Sequence, residues 1–256
     1  MNRVVILMYH IVAEPQSVQE ARYCCTPFRF EAQMRYLRQA GIRLLTLDEI
    51  ADAFERRAEW PDGGVAVTFD DGFADTFANA LPALNRYRIP ATMFAVSDLI
   101  GTSNDWMSAR GFPKRKLMSA SQLQEMSRAG VAIGSHTCTH PRLPELDGAA
   151  KRREIGNSKA RLEDTIGRSV TAFAYPYGQF DDDARDAVEE AGYRIACSAS
   201  SGFNGPEVDR YLLRRIEVFG ADNLWQFRQK LKFGANEVSS FYSLRYYAGR
   251  ILARLH

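Results

Sequence analysis

Three short clusters carry side chains able to do hydrolytic chemistry. The first is Thr68-Phe69-Asp70-Asp71-Gly72. Side chains alternate along an extended chain, so two adjacent carboxylates cannot share a face while a strand continues. Where Gly72 lets the chain turn they diverge, and one can hold a metal while the other stays free as a base. The same Asp-Asp-Gly is equally an ordinary turn signal. The second cluster, Ser135-His136-Thr137-Cys138-Thr139-His140-Pro141, spaces two histidines four apart, a common sequence trace of an imidazole metal pair. With Asp71 the pair completes a set of two imidazoles and one carboxylate, which leaves coordination positions for water and substrate as catalytic sites do. The third, Phe173-Ala174-Tyr175-Pro176-Tyr177-Gly178, is a sharp loop able to aim a backbone N–H into a site, or simply a turn with a packing aromatic.

These clusters need a scaffold that brings them together. Short β-rich runs at Val4–Tyr9, Ile42–Leu45, Val65–Phe69, Ala91–Val96, Val131–Ser135, Val170–Tyr175, Tyr193–Ser198 and Leu212–Val218 read as strands. Amphipathic stretches alternate with them. Thr26-Pro27 opens a helix that stops at Gly41, and Thr46-Leu47-Asp48-Glu49 is a capping box. Further helices are expected over about 73–87, from Ser121 to Gly130, over 149–166, and after Asp181-Asp182-Asp183. Residues 97–117 form a long irregular segment carrying Trp106, as active-site loops often are. The alternation, with no linker and no repeat, predicts one α/β domain. A (β/α) barrel suits it best, because all three clusters fall at the C-terminal ends of strands, where such barrels keep their chemistry.

Composition narrows the function classes. The chain has 256 residues, and 33 Lys plus Arg against 31 Asp plus Glu give a formal charge of +2, without the basic footprint of a nucleic-acid binder. Cys24, Cys25, Cys138 and Cys197 lack the spacing of a disulfide framework or zinc knot, so buried thiols in a reducing compartment are expected. The N-terminal apolar run, Val4–Tyr9, is shorter than the ~7–15 residues of a signal-peptide core, and no run reaches the ~18 of a membrane helix. The expectation is a cytoplasmic protein. In the tail, Phe241, Leu244, Tyr247, Ile251 and Leu255 fall near helical spacing beside Arg245, Arg250 and Arg254. Such a basic amphipathic helix can lie on an anionic membrane surface or pack against its own barrel. The expected organisation is a barrel over 1–235 followed by this helix over 236–256.

In their order and strand-end placement, the three clusters resemble the motifs of the carbohydrate esterase family 4 polysaccharide deacetylases, the NodB-homology fold, over Val4 to about Val218. The resemblance implies a distorted (β/α)7 barrel. It implies Asp70 as general base, Asp71, His136 and His140 as metal ligands, and the Tyr177 N–H as an oxyanion donor. Two departures stand out. The arginine that opens the family's third motif is Ala174 here, and the C-terminal Leu-x-His that supplies the acid is missing after residue 218. Leu7-Met8-Tyr9-His10 resembles the permuted branch of the family, in which that strand and its histidine come first. Arg215, in Leu213-Arg214-Arg215-Ile216, is the candidate to replace the arginine.

The implied reaction is hydrolysis of the N-acetyl group of an N-acetylhexosamine unit, in a polysaccharide or a lipid-linked glycan precursor, within exopolysaccharide biosynthesis. The implied cofactor is a divalent ion, zinc first, with cobalt or nickel as substitutes. His10 would donate a proton to the departing amine. Trp106, Tyr175 and Pro176 are candidate substrate contacts. Three alternatives stand beside this reading: a deformylase or other amidohydrolase acting on a lipid-linked sugar, a catalytically silent glycan-binding barrel, and a glycosidase using Asp70 and Asp71. Adjacent carboxylates poorly span the ~5 Å or more that glycosidases need, which puts the last of these behind the others.

Overall fold

The computed structural model describes residues 3–238. Val4–Tyr9 forms β1, buried along its whole length, as a parallel strand covered on both faces requires. The chain continues through β2 (Ile11–Val12), β3 (Cys24–Cys25), α1 (Pro27–Gln39), α2 (Leu47–Phe54), β4 (Gly64–Phe69), α3 (Ala74–Tyr87) and β5 (Ala91–Ala95). It then forms α4 (Ala120–Arg128), β6 (Ala132–Ser135), α5 (Gly148–Ile166), β7 (Ala172–Ala174), α6 (Asp182–Glu190), β8 (Ile195–Cys197), β9 (Ile216–Glu217) and α7 (Leu224–Phe233). The helix starts follow the capping residues. Thr26 accepts from the Arg29 N–H ahead of Pro27, Thr46 and Glu49 cap each other's backbone, and Asp181 accepts from the Ala184 N–H.

Seven strands form one parallel sheet in the order β8-β7-β6-β5-β4-β1-β9, while β2 and β3 pair separately. The sheet curls into a distorted (β/α)7 barrel because residues 210–217 serve both of its edges. Leu213 bridges Cys197 in β8 and its N–H donates to the Ala196 carbonyl, whereas Ile216 and Glu217 pair with Leu7 and Met8 in β1. Strand alternation then sorts the core into two layers. Val5, Leu7, Tyr9, Val67, Phe69 and Phe173 face the helices, and Val4, Ile6, Ala66, Phe94, Ala174, Cys197 and Leu213 fill the barrel.

The expected strand at Ile42–Leu45 is reduced to a single bridge, Leu44 to Val65, with hydrogen bonds from Leu45 N–H to Val65 O and from Val65 N–H to Arg43 O. The Thr46 cap turns the chain into α2 before a ladder can grow. The run expected as a strand over Leu212–Val218 keeps only Ile216–Glu217 as regular strand, since it changes partner midway. The α7 helix was not expected from the sequence. Residues 97–117 contain two short 3-10 turns, Ser97–Leu99 and Asp105–Arg110. The buried Arg115 anchors this segment with a two-pronged bond to Glu20 and a further one to Asp75. All four cysteines are free and buried. No described helix is long and apolar enough to cross a membrane. The expected C-terminal helix falls on 239–256, outside the described residues; 236–238 are not helical.

Candidate active site

The same alternation that builds the core delivers the first two site residues. Ala66, Thr68 and Asp70 point into the barrel from β4 and its end, and the Asp70 N–H donates to the Tyr9 carbonyl at 2.9 Å. Leu213, Arg215 and Glu217 alternate onto the interior of the closing segment. Arg215 is entirely buried, and its fork meets Asp70, Nη1 to Oδ1 at 2.6 Å and Nη2 to Oδ2 at 2.8 Å. Its Nε donates to the Ser198 carbonyl and its guanidinium lies 5.6 Å from the Phe94 ring centre. Burial alone would raise the Asp70 carboxyl, but the Arg215 charge outweighs it and holds the group below the usual carboxylate range. Arg215, expected from sequence to reach Asp70, does so.

Asp71 follows with φ +73°, so its side chain leaves the β4 face and turns to the second cluster. Its Oδ1 lies 3.5 Å from His136 Nε2 and 3.2 Å from His140 Nε2. His136 comes off the end of β6, and its Nδ1 lies 2.7 Å from the Ala174 carbonyl, which can only accept. That bond puts the proton on Nδ1 and leaves Nε2 bare toward Asp71. Burial pushes the His136 imidazole down to about 4, which keeps it neutral and able to ligate. Burial also opposes ionisation of Asp71, yet the hydrogen bond and charge of His140 hold its carboxyl well below the usual range. Thr137 and His140 have φ of +68° and +63°, and the loop between them is pinned by Glu154 of α5, which accepts from the Cys138 and Thr139 N–H groups. Of six non-glycine residues with positive φ among the described residues, Asp71, Thr137, His140 and Tyr177 belong to this site, the clustering expected where geometry serves a site rather than the fold.

The donor set fits a divalent ion. One carboxylate oxygen and two imidazole nitrogens lie within 4.8 Å of one another, all buried, with one ring orientation already fixed from behind. Nitrogen and oxygen donors of this kind suit zinc, and also cobalt or nickel.

A cleft of about 390 Å3 opens above these groups. His10 lines it two residues beyond Met8, its ring edge-on to Tyr23 at 5.2 Å. Trp106 also lines it and stacks on His140, with ring centres 4.8 Å apart and planes 26° apart. Tyr177 also lines the cleft, edge-on to His140 at 4.7 Å, with φ +58°. The next residue has to be glycine, since a Cβ on Gly178 would lie 2.3 Å from the Ala199 Cβ at a φ of +66°. Tyr175 and Pro176, expected as substrate contacts, do not line the cleft. Tyr175 shares the helix-facing parity of Phe173, packs on Phe173 and Phe180, and is fully buried; Pro176 is buried in the turn behind it. Sequence reading missed Glu217, Tyr23, Arg110 and Arg142, which all line the cleft. Glu217 was available from parity with Leu213 and Arg215, whereas the two arginines carry no sequence signal.

Comparison with known proteins adds an independent line. Residues 57–196 match the polysaccharide deacetylase family. The poly-beta-1,6-N-acetyl-D-glucosamine N-deacetylase of Staphylococcus epidermidis is 27% identical over 237 residues, covering 85% of this chain and 79% of that protein. Among solved structures, IcaB from Ammonifex degensii superposes with a TM-score of 0.74 at 26% identity, covering 91% of this chain and 97% of that one. The Streptococcus pyogenes deacetylase PplD, in complex with acetate, superposes with a TM-score of 0.77 at 24% identity, covering 90% and 98%.

Proposed function

The chain belongs to the polysaccharide deacetylase family, and from that premise we propose that it hydrolyses the N-acetyl group of an N-acetylhexosamine unit in a polysaccharide, using a divalent metal, an aspartate base and a histidine acid. One observation carries the reading: an Asp71–His136–His140 ligand set sits beside a second carboxylate, Asp70, that is held ionised by a buried arginine in the same cleft. The name of the Staphylococcus epidermidis relative supports the substrate class.

Asp71, His136 and His140 would hold the ion. When bound, a divalent ion lowers the pKa of a water ligand and polarises an acyl oxygen. Asp70 receives the proton released as water adds to the acetamide carbon. Each of its oxygens accepts once from Arg215 and keeps a lone pair for that proton. Arg215 fixes the carboxylate plane, so the base does not have to be oriented during the reaction. Tyr177, which lines the cleft in a left-handed conformation, would offer its backbone N–H to the developing oxyanion, a contact worth on the order of 3 kcal/mol. His10, which lines the same cleft as Asp70, delivers a proton from a ring nitrogen to the departing amine, and an imidazole can both donate and take back a proton. Trp106 and Tyr177 wall the acetamide side against His140 and exclude water from it.

Acetate release from an N-acetylglucosamine oligosaccharide tests the reading. Chelation should abolish it, zinc or cobalt should restore it, and Asp70→Asn should keep the metal while losing turnover. Formate release from an N-formyl sugar, without acetate release from the N-acetyl one, would move the assignment to a deformylase. A metal-loaded protein inert on both would overturn it.

A further inference from the structure

The cleft holds two arginines that none of its own carboxylates pairs with. Three carboxylates line it. Asp70 is neutralised by the Arg215 fork, Asp71 faces the two histidines, and Glu217 pairs with Arg22 at 3.4 Å. Two further guanidinium groups, Arg110 and Arg142, line the same cleft. Among the described residues Arg110 has no ion pair; it lies over the Phe112 ring at 5.0 Å. Arg142 reaches a carboxylate only at 3.9 Å, the largely exposed Glu145, a separation at which an ion pair contributes little. Instead Arg142 is held in place by stacking over the Tyr177 ring at 4.4 Å and by donating to Gln179 Oε1 at 2.9 Å. The charges of both arginines act on Tyr177, at the His140 side of the cleft. Arg110 ends the short turn that carries Trp106, and Arg142 follows His140 by two residues and touches Tyr177, which touches His140.

A neutral glycan gives such a pair nothing to neutralise, whereas a carboxylate or phosphate one sugar away from the reacting acetamide would meet both. We propose that the substrate is an acidic glycan, in which the N-acetylhexosamine or its neighbour bears an oxyanion that Arg110 and Arg142 bind. Arginine matches carboxylate and phosphate alike through its planar fork. This rests on the deacetylase reading above and narrows its substrate class.

Three probes on one scaffold test it with the zinc-loaded protein: an N-acetylglucosamine disaccharide, its counterpart with glucuronate as the neighbouring sugar, and its phosphomonoester on the neighbouring sugar. At low salt at least one acidic probe should exceed the neutral one about tenfold in kcat/KM, mostly through KM, with the advantage shrinking as salt is raised. The Arg110→Gln/Arg142→Gln variant should lose the preference while still turning over the neutral disaccharide. Calorimetric binding to Asp70→Asn should rank the probes in the same order without turnover. The better acidic probe identifies carboxylate or phosphate. Equal or better use of the neutral disaccharide, or a preference that survives in the double variant, overturns the inference and leaves the deacetylase reading standing. No turnover of any probe by the metal-loaded protein overturns both.

Discussion

Replacing Arg215 with methionine should be among the most damaging single changes available outside the ligand set. Both partners of the Arg215–Asp70 pair are buried, at 0% and 4% side-chain exposure, and two bonds of 2.6 and 2.8 Å join them. Water cannot compensate the carboxylate once the guanidinium is gone, so the loss should be about 3–5 kcal/mol, the range for breaking a buried pair from one side. With a urea dependence near the upper end of the usual scale, roughly 3 kcal/mol/M, that is a shift of about 1 M or more in the midpoint. The pH dependence has a definite sign. In the native protein Asp70 titrates below its unfolded value, so its contribution is present above that value and is lost as pH falls through the folded one. In Arg215→Met burial, the largest influence, loses its main opponent, so the carboxyl rises above its unfolded value and protonation then favours the folded state. The stability gap between native and variant protein should therefore be widest near neutral pH and close as pH approaches 4. Asp70→Asn/Arg215→Met should recover much of the loss, because no charge is left buried. Urea titrations of the native protein, Arg215→Met, Asp70→Asn and the double variant at several pH values measure this. A gap under ~1 kcal/mol at pH 7, or one that widens on acidification, would refute the reasoning.

His10→Ala should lower kcat by ~10²–10⁴ while metal content, measured directly, stays unchanged; full activity would remove His10 as the acid. Metal-free protein should lose stability as pH falls from about 6.5 toward 4, because His136 stays neutral in the fold down to about 4 while the unfolded chain takes up the proton earlier. That gap is worth at most ~3 kcal/mol and is read from thermal or urea melts, with His136→Ala as the control. Tyr175→Phe should keep activity and be neutral or slightly stabilising, since the buried Tyr175 hydroxyl has no hydrogen-bond partner. A marked rise in KM would return Tyr175 to the substrate contacts.

The parts of the site that could be read from sequence were those fixed by local chemistry. Asp70, Asp71, His136 and His140 sit at the ends of strands that apolar patterning located, so their convergence followed from barrel topology. Arg215 was picked out only because the family resemblance left an arginine to be replaced and a strand was expected there; its alternation with Leu213 is what puts it on the barrel interior beside Asp70. The same alternation, applied backward from Ala174, would have kept Tyr175 out of the cleft; an aromatic beside a Pro and a Gly suggested a mouth residue instead. The expected Ile42–Leu45 strand failed for the opposite reason. Its composition is strand-like, but the Thr46 cap ends it after one bridge. Arg110 was not readable, because its rim position depends on how residues 97–117 fold back, and that depends on the distant Arg115–Glu20 and Arg115–Asp75 bonds; Arg142 is held at the rim by Tyr177 and Gln179, which are also remote in sequence.

The segment 210–217 leaves one sheet edge and joins the other, and Arg215 sits at the point of transfer. Asp71, His136 and His140 all lie upstream of it in the chain and owe their places to strands β4 and β6. Asp70 meets its arginine across 145 residues. Contacts of such sequence separation are entropically the costliest to close, which places ring closure late in folding. A chain emerging from the ribosome, or one cleaved before residue 210, would thus carry Asp71, His136 and His140 without the arginine that fixes Asp70. On the mechanism proposed above, completion of the barrel and competence for hydrolysis become a single event.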